Sequence, residues 1–390
     1  MSPAPGRPKS GEPPPGGVAR SAGEHTITPA PGRPKSGEPP PGGVARGAGE
    51  HTIAPTPGRP RVSILLPAYQ QQAVVAEAVR AALAQTYSPL QIVVSDDASD
   101  DGTFGAIERA VAGYTGPHDL VVRRNPANEG ITAHLSRLAG LANGELLFVT
   151  AGDDISEPER CARVVAHWLD RGRRPDLIAT DLLDIDAVGR IHGRIVHDDL
   201  DALTLGQWLA ARPWLVGASH AWTRRLFARF GPMRAGAHAE DQIMLLRALL
   251  GGGATTLHEP LVRWRRGGLS AKRRHADLPA LLAHMRSGNR AGLVEIAQLV
   301  ADAEVAGRGD AVRAALGPRL ARERFVQRML EAPTAAERWR GVLQAGEVPL
   351  GYRLRLLGYT TLPWLYEPLI RLKAGARLSR HGDAAGRPAD

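Results

Sequence analysis

Between Arg61 and Thr150 the chain alternates four short apolar runs with three stretches of helical spacing, and this alternation limits what it can fold into. VSILLP (62–67), QIVVSD (91–96), LVVRR (120–124) and ELLFVT (145–150) have the length and branching of buried strands. The stretches 74–83, 103–111 and 131–142 place apolar residues at helical intervals. Strands joined by helices require right-handed crossovers, which predicts an α/β fold with a mostly parallel sheet covered on both faces. In such sheets ligands bind beyond the carboxyl ends of the strands. Polar clusters stand at three of those ends: Pro67-Ala68-Tyr69, Asp96-Asp97-Ala98-Ser99 and Gly152-Asp153-Asp154. Further along, a helix is expected over 158–169, a strand and turn over 176–186, and a helix over 242–250 that opens on Glu240-Asp241.

The flanks have a different texture. PAPGRPKSGEPPPGGVAR begins at Pro3 and again at Pro29, a tandem unit too poor in apolar side chains to offset the entropy of ordering it. Residues 1–60 are therefore expected to form a disordered tail, 61–270 the α/β domain, and 271–390 a helical annex with breaks near Gly307, Pro318, Pro333 and Pro349. The net charge of +9 is unevenly spread: +4 over 1–61, −3 over 62–270 and +8 over 271–390. A nucleic-acid reader concentrates its positive charge on the recognition domain, and here the best-patterned region is slightly acidic, so no nucleic-acid partner is expected. The single cysteine, Cys161, has no disulfide partner in the chain, and neither a secretory leader nor a membrane-spanning run is apparent. A cytoplasmic setting follows. The stretch 351–373 mixes Trp364 and three tyrosines with Arg353, Arg355, Arg371 and Lys373. It reads either as a helix pair packed on the catalytic domain or as a peripheral contact with an anionic membrane, such as the inner face of the plasma membrane.

Adjacent carboxylates at the end of an apolar strand repel unless a cation or a hydrogen-bond network lies between them. Asp153-Asp154 fits half of a Mg²⁺ or Mn²⁺ site that phosphate oxygens would complete, or else a helix cap ahead of 158. Asp97 can accept from the N3–H of a uracil or thymine while Tyr69 offers a stacking face; turn formation by Asp and Ser is the local alternative. Arg263, Arg265 and Arg266 are weaker candidates for phosphate contacts, His238 for a metal, and Trp214 and Trp222 for a sugar platform, with surface or core roles as their alternatives.

VSILLPAYQ, AALAQTYSPLQIVVSDDASDDGT and NPANEGITAHLSRLAGLANGELLFVTAGDD, in that order across roughly 61–160, resemble successive blocks of family 2 glycosyltransferases. Glu240-Asp241 before a helix resembles the family's ED element, and EPLVRWRRGGLS (259–270) its closing strand. The resemblance implies a GT-A, Rossmann-like fold and inverting transfer of a sugar from a nucleoside-diphosphate sugar to a glycan or lipid-linked acceptor, with Mn²⁺ or Mg²⁺ as cofactor. Cell-surface polysaccharide synthesis is the setting it suggests. By motif position it implies that Pro67, Tyr69 and Asp97 border the nucleoside. Asp153 then lies near the ribose and sugar, Asp154 binds the metal with it, Asp241 is the base, and Glu240 contacts the acceptor or positions the helix. Gln70, Ser136 and Arg266-Gly267 depart from the common pattern, which bears on donor details. Two rivals are a nucleotidyltransferase, whose Gly-rich phosphate loop is absent from PAYQQQAVV, and a non-catalytic binder, which would have no use for Asp97, Asp153, Asp154 and Asp241 together.

Overall fold

The structure is a computed structural model, and it describes residues 45–46, 58–266 and 275–382, with backbone alone for 45–46 and 373–382. Apart from 45–46 and 58–60, the expected tail lies outside these residues. After a two-residue strand β1 (Ala45–Arg46), the alternating unit runs β2 (Val62–Ala68), α1 (Val75–Leu83), β3 (Leu90–Asp96), α2 (Thr103–Val111), β4 (Asp119–Arg124), α3 (Ile131–Leu141) and β5 (Leu146–Val149). The chain continues through β6 (Ile155–Ser156), α4 (Arg160–Asp170), β7 (Leu177–Ile185), β8 (Ile191–Ile195), α5 (Leu205–Ala210), a 3-10 turn (Gly217–Ser219), β9 (Ala221–Thr223), α6 (Arg224–Phe230), α7 (Glu240–Leu249) and β10 (Ala254–Arg265). Five helices follow: α8 (Leu278–Val305), α9 (Gly309–Glu331), α10 (Ala335–Gln344), α11 (Leu350–Thr361) and α12 (Pro363–Gly382).

One sheet collects the strands in the order β1-β4-β3-β2-β5-β9-β7-β10-β6, with β8 on β7. β4, β3, β2 and β5 are mutually parallel, as the crossovers require. β9 then inserts antiparallel between β5 and β7, which is itself parallel to β10. The expected mixed α/β architecture with a C-terminal helical region is therefore present. β2, β3 and β5 are buried along their whole length, so their sequences are near-continuous apolar runs. α1, α2 and α4 cover one face with Val75, Val79, Ile107, Val164 and Trp168. α3 and α7 cover the other with Leu135, Leu138, Ile243 and Leu246.

The C-terminal helices extend that second core. Ile296, Leu299 and Ala303 of α8 and Val312 and Leu316 of α9 belong to the same apolar cluster as α3 and α7, and buried Arg247 of α7 pairs with Asp302 of α8 at 2.8 Å. α8 begins where Asp277 caps Ala280 N–H and ends ahead of Gly307, whose φ of +68° closes the helix. The break expected near Pro318 does not occur: α9 runs through it. Leu316 and the neighbouring Leu320 pack into the core, and that burial offsets the one backbone bond that proline forfeits. α11 and α12 meet at Pro363 as a helix pair packed on α8, α9 and α10. Among the described residues no helix is long and apolar enough to cross a membrane.

Candidate active site

The loops at the carboxyl ends of β2, β3 and β5 are tied to one another. Behind β2, Gln70 stands at φ +54° and its N–H donates to Ser99 Oγ at 2.9 Å, while Gln71 N–H donates to Thr103 Oγ1 at 2.7 Å. The Tyr69–Gln72 and Ser99–Thr103 loops are thereby laced together. Gln71 also reaches the β5 loop, where its side chain hydrogen-bonds Asp153. A Cβ on Gly152 would meet Gln71 Oε1 and crowd Ala68, so the missing side chain leaves room for Gln71 between the aspartate loop and the end of β2. Pro67 is buried within β2, and Tyr69 is half-buried just past the strand.

Asp153 and Asp154 come off β5 with different surroundings. Asp154 is 2% exposed, and its Oδ1 accepts from Arg265 N–H at 2.9 Å. Burial, then the Asp153 carboxylate, hold its carboxyl well above the usual range; burial also raises Asp153. Two raised neighbouring carboxylates are what a cation would relieve. Among the described residues no group of three His, Cys, Asp or Glu side chains is gathered to hold a metal ion. The pair is therefore at most a half-site, to be completed by phosphate oxygens and water, as Mg²⁺ and Mn²⁺ commonly accept.

Glu240 and Asp241 open α7 and are brought to this edge by the 3-10 turn. A Cβ on Gly217 would fall 2.6 Å from Glu240 Oε1 and 3.8 Å from Asp241 Cβ. On its other side the turn is held by Arg160, whose Nη2 donates to Ala218 O at 2.8 Å and to Val149 O at 2.9 Å. Arg160 is 1% exposed, and its charge acts on Asp154. The path Asp154, Arg160, Ala218, Gly217, Glu240-Asp241 thus joins two acidic pairs 87 residues apart in the chain. Burial and the Asp241 charge push Glu240 up to about 8; burial raises Asp241 to about 6, with Gln242 N–H donating to its Oδ1 at 2.7 Å.

Asp97 is engaged by the loop ahead of α3. Its Oδ1 accepts from Asn125 Nδ2 at 2.6 Å and Glu129 N–H at 3.0 Å, and its Oδ2 from Gly130 N–H at 3.0 Å. His134 lies 3.9 Å away but is neutral at pH 7, because burial lowers it to about 4. A carboxylate offers about four acceptor positions, and three of these hold the loop ahead of α3. The three arginines of β10 and its edge are likewise engaged. Arg263 pairs with Glu157 and Arg266 with Asp184, while Arg265 binds Glu77, Asp153 O and Ala187 O. They brace the site. Trp222 is core, Trp214 is 38% exposed beside His197, and His238 precedes α7 half-buried.

Gln71, Arg160 and Gly217 are neighbours of the site that motif reading passed over. Arg160 had a signal: with Cys161, Val164, Val165 and Trp168 it falls on the buried stripe of α4, where a charge calls for buried partners.

Residues 63–174 match the model described as "Glycosyl transferase family 2". The putative glycosyltransferase EpsE of Bacillus subtilis is 30% identical over 136 residues, 35% of this chain and 48% of that one. The glucosyl-dolichyl phosphate glucuronosyltransferase of Haloferax volcanii is 26% identical over 167 residues, 40% and 45% of the two chains. The chain spans about half the length of these curated relatives. Among solved structures, TarS 1–349 of S. aureus with UDP-GlcNAc aligns at TM-score 0.46 and 16% identity, over 78% of this chain and 91% of that one. The mannosyltransferase PcManGT of Pyrobaculum calidifontis with GDP-Man and Mn²⁺ aligns at TM-score 0.44 and 17% identity, over 79% and 87%.

Proposed function

We propose that this chain, which carries a glycosyl transferase family 2 domain over residues 63–174, transfers a sugar from a nucleoside-diphosphate sugar to an acceptor hydroxyl with inversion. The observation that supports this reading is the 3-10 turn, whose Gly217 lies against Glu240-Asp241 while Arg160 ties Ala218 to the end of β5. In this reading the two acidic pairs divide the labour that such a displacement needs. Asp153 and Asp154 would hold Mn²⁺ or Mg²⁺, which when bound supplies positive charge against the departing diphosphate. Asp241, ionised above about pH 6, takes the acceptor's proton as its oxygen attacks the anomeric carbon from the face opposite the leaving group. Glu240, raised to about 8, is protonated at pH 7 and can donate a hydrogen bond to the acceptor. Tyr69 borders the nucleoside at the end of β2, and Asp97 shapes the pocket by fixing the Asn125–Gly130 loop.

The acceptor in this reading is a glycan or a lipid-linked sugar, with the C-terminal helices resting on an anionic membrane. Trp339 and Leu343 on α10, Leu350 and Leu354 on α11, and Leu365, Leu369 and Leu372 on α12 are exposed at helical spacing. Exposed Arg340, Arg355 and Arg371 lie among them, a composition that suits an interfacial face.

The test is nucleoside diphosphate release from a panel of UDP- and GDP-sugars with and without Mn²⁺. Asp241→Asn is expected to lose roughly 10²- to 10⁴-fold in turnover, the usual contribution of a general base, while still binding UDP with Mn²⁺. Asp154→Asn is expected to lose the Mn²⁺ dependence of UDP binding. Full turnover by Asp241→Asn would remove the base from this reading.

A further inference from the structure

The loop that follows α5 ties the C-terminal helices to the base. Arg212 Nη1 donates to Glu295 Oε1 of α8 at 2.6 Å, and the guanidinium lies 4.6 Å over the Trp208 ring. Glu295 is 2% exposed and is gripped on both oxygens by Arg319 of α9, each bond 2.8 Å long. Trp208 Nε1 donates to Gln242 Oε1 at 3.0 Å, and Gln242 Nε2 to Pro213 O at 3.1 Å. The Arg212-Pro213 loop and the first turn of α7 are therefore locked together beside Asp241. The charges of Arg212 and Asp241 act on each other, and Glu295 acts on Asp241 with the opposite sign. One nitrogen of the fork, Arg212 Nη2, is buried without a hydrogen-bond partner.

We infer that Arg212 is a positioning residue for the base, pinned by Glu295 and Trp208 so that its charge stands against the Asp241 carboxyl, and that α8 and α9 thereby complete the catalytic unit. The inference rests on the reading of Asp241 as the base. Among the described residues, the charged groups that act on Asp241 are Glu240 on its own helix, Arg212 on the loop after α5 and Glu295 on α8, the last neutralised in part by Arg319 of α9. With Glu240 protonated, the remaining four alternate in sign: Asp241, Arg212, Glu295, Arg319. Removing the Arg212 cation breaks that alternation where the proton is to be taken. Electrostatics of this kind act over contact distance, and a nearby opposite charge typically lowers a carboxyl by about 1 to 3 units.

The experiment is a thermal double-mutant cycle on the full chain between pH 4.5 and 8, comparing wild type, Arg212→Met, Asp241→Asn and the double variant. A carboxyl raised in the folded state holds its proton more tightly there than in the unfolded chain. Its contribution is intact below the unfolded value near 4 and is lost as pH rises through the folded value near 6. Arg212→Met is expected to raise the folded value by about 1 unit, so its melting-temperature deficit grows between pH 5 and 7. In the Asp241→Asn background that growth is expected to vanish. Arg212→Lys, which keeps the cation, is expected to follow the wild-type pH course. A deficit that is equal at all pH values, or whose growth survives Asp241→Asn, overturns the inference. If Arg212→Met does not fold, Arg212→Gln takes its place in the cycle. Retained turnover in Asp241→Asn with an intact cycle would instead remove the base reading and leave the pairing standing.

Discussion

Replacing Arg160 by methionine tests whether one buried guanidinium joins the two acidic pairs. Its Nη1 donates to Thr150 Oγ1 and Ser156 Oγ, both at 3.0 Å, and its Nη2 to Val149 O, Ala218 O and His220 O at 2.9, 2.8 and 3.3 Å. Methionine fills similar space and donates nothing. Hydrogen bonds from a charged donor contribute about 1.5 kcal/mol each at the low end. Against them stands the cost of burying the charge, which lowers the Arg160 pKa to about 10, roughly 3 kcal/mol at 1.36 kcal/mol per unit. The balance is a loss on the order of 4 kcal/mol, within the range for stripping a buried charge network. That corresponds to a fall in melting temperature on the order of 10 °C. The assay is thermal and urea denaturation, with Arg163→Met as control: Arg163 lies on the same helix but meets Glu259 at the exposed surface, and its loss is expected to leave the midpoint unchanged. An Arg160→Met midpoint equal to wild type would refute the reasoning, since the five acceptors would then have found other donors at no cost.

The wild-type rate of nucleoside diphosphate release is expected to fall about tenfold per pH unit below about 6, because Asp241 must be ionised to accept a proton; a flat profile from pH 7 to 4.5 would count against it. Asp97→Asn, which weakens the carboxylate's hold on Glu129 and Gly130 N–H, is expected to cost about 2 kcal/mol by urea denaturation. Its effect on the choice between UDP and other nucleotides should be small, and a switch in base preference would instead give Asp97 a direct nucleobase role. In flotation assays with vesicles of anionic and neutral lipid, the wild type is expected to rise with the anionic vesicles. Trp364→Ser with Leu369→Ser is expected to remain behind at unchanged melting temperature, since both side chains are exposed; equal flotation would remove the membrane contact.

The local signals proved sufficient for the elements. Period and branching over five to ten residues decide whether a segment pairs in a sheet or coils, and so β2 to β5 and α1 to α3 fall within a residue or two of where VSILLP and its successors place them. They also fix that Tyr69, Asp97 and Asp153-Asp154 all leave the sheet at the same edge, because parallel strands end together. What a side chain does there depends on partners supplied by distant chain. Asp97 meets donors 28 to 33 residues away and Asp154 a donor 111 residues away, and no periodicity records such a pairing. The same holds for β9, three residues inserted antiparallel between β5 and β7, whose preceding turn carries Gly217 to Glu240. It holds too for the C-terminal helices, whose amphipathic pattern announces that they must pack without saying against what. Only the tertiary structure, in which burial makes an unmet charge or carbonyl costly, selects Arg160, Arg265 and Glu295 as the groups around which the site closes.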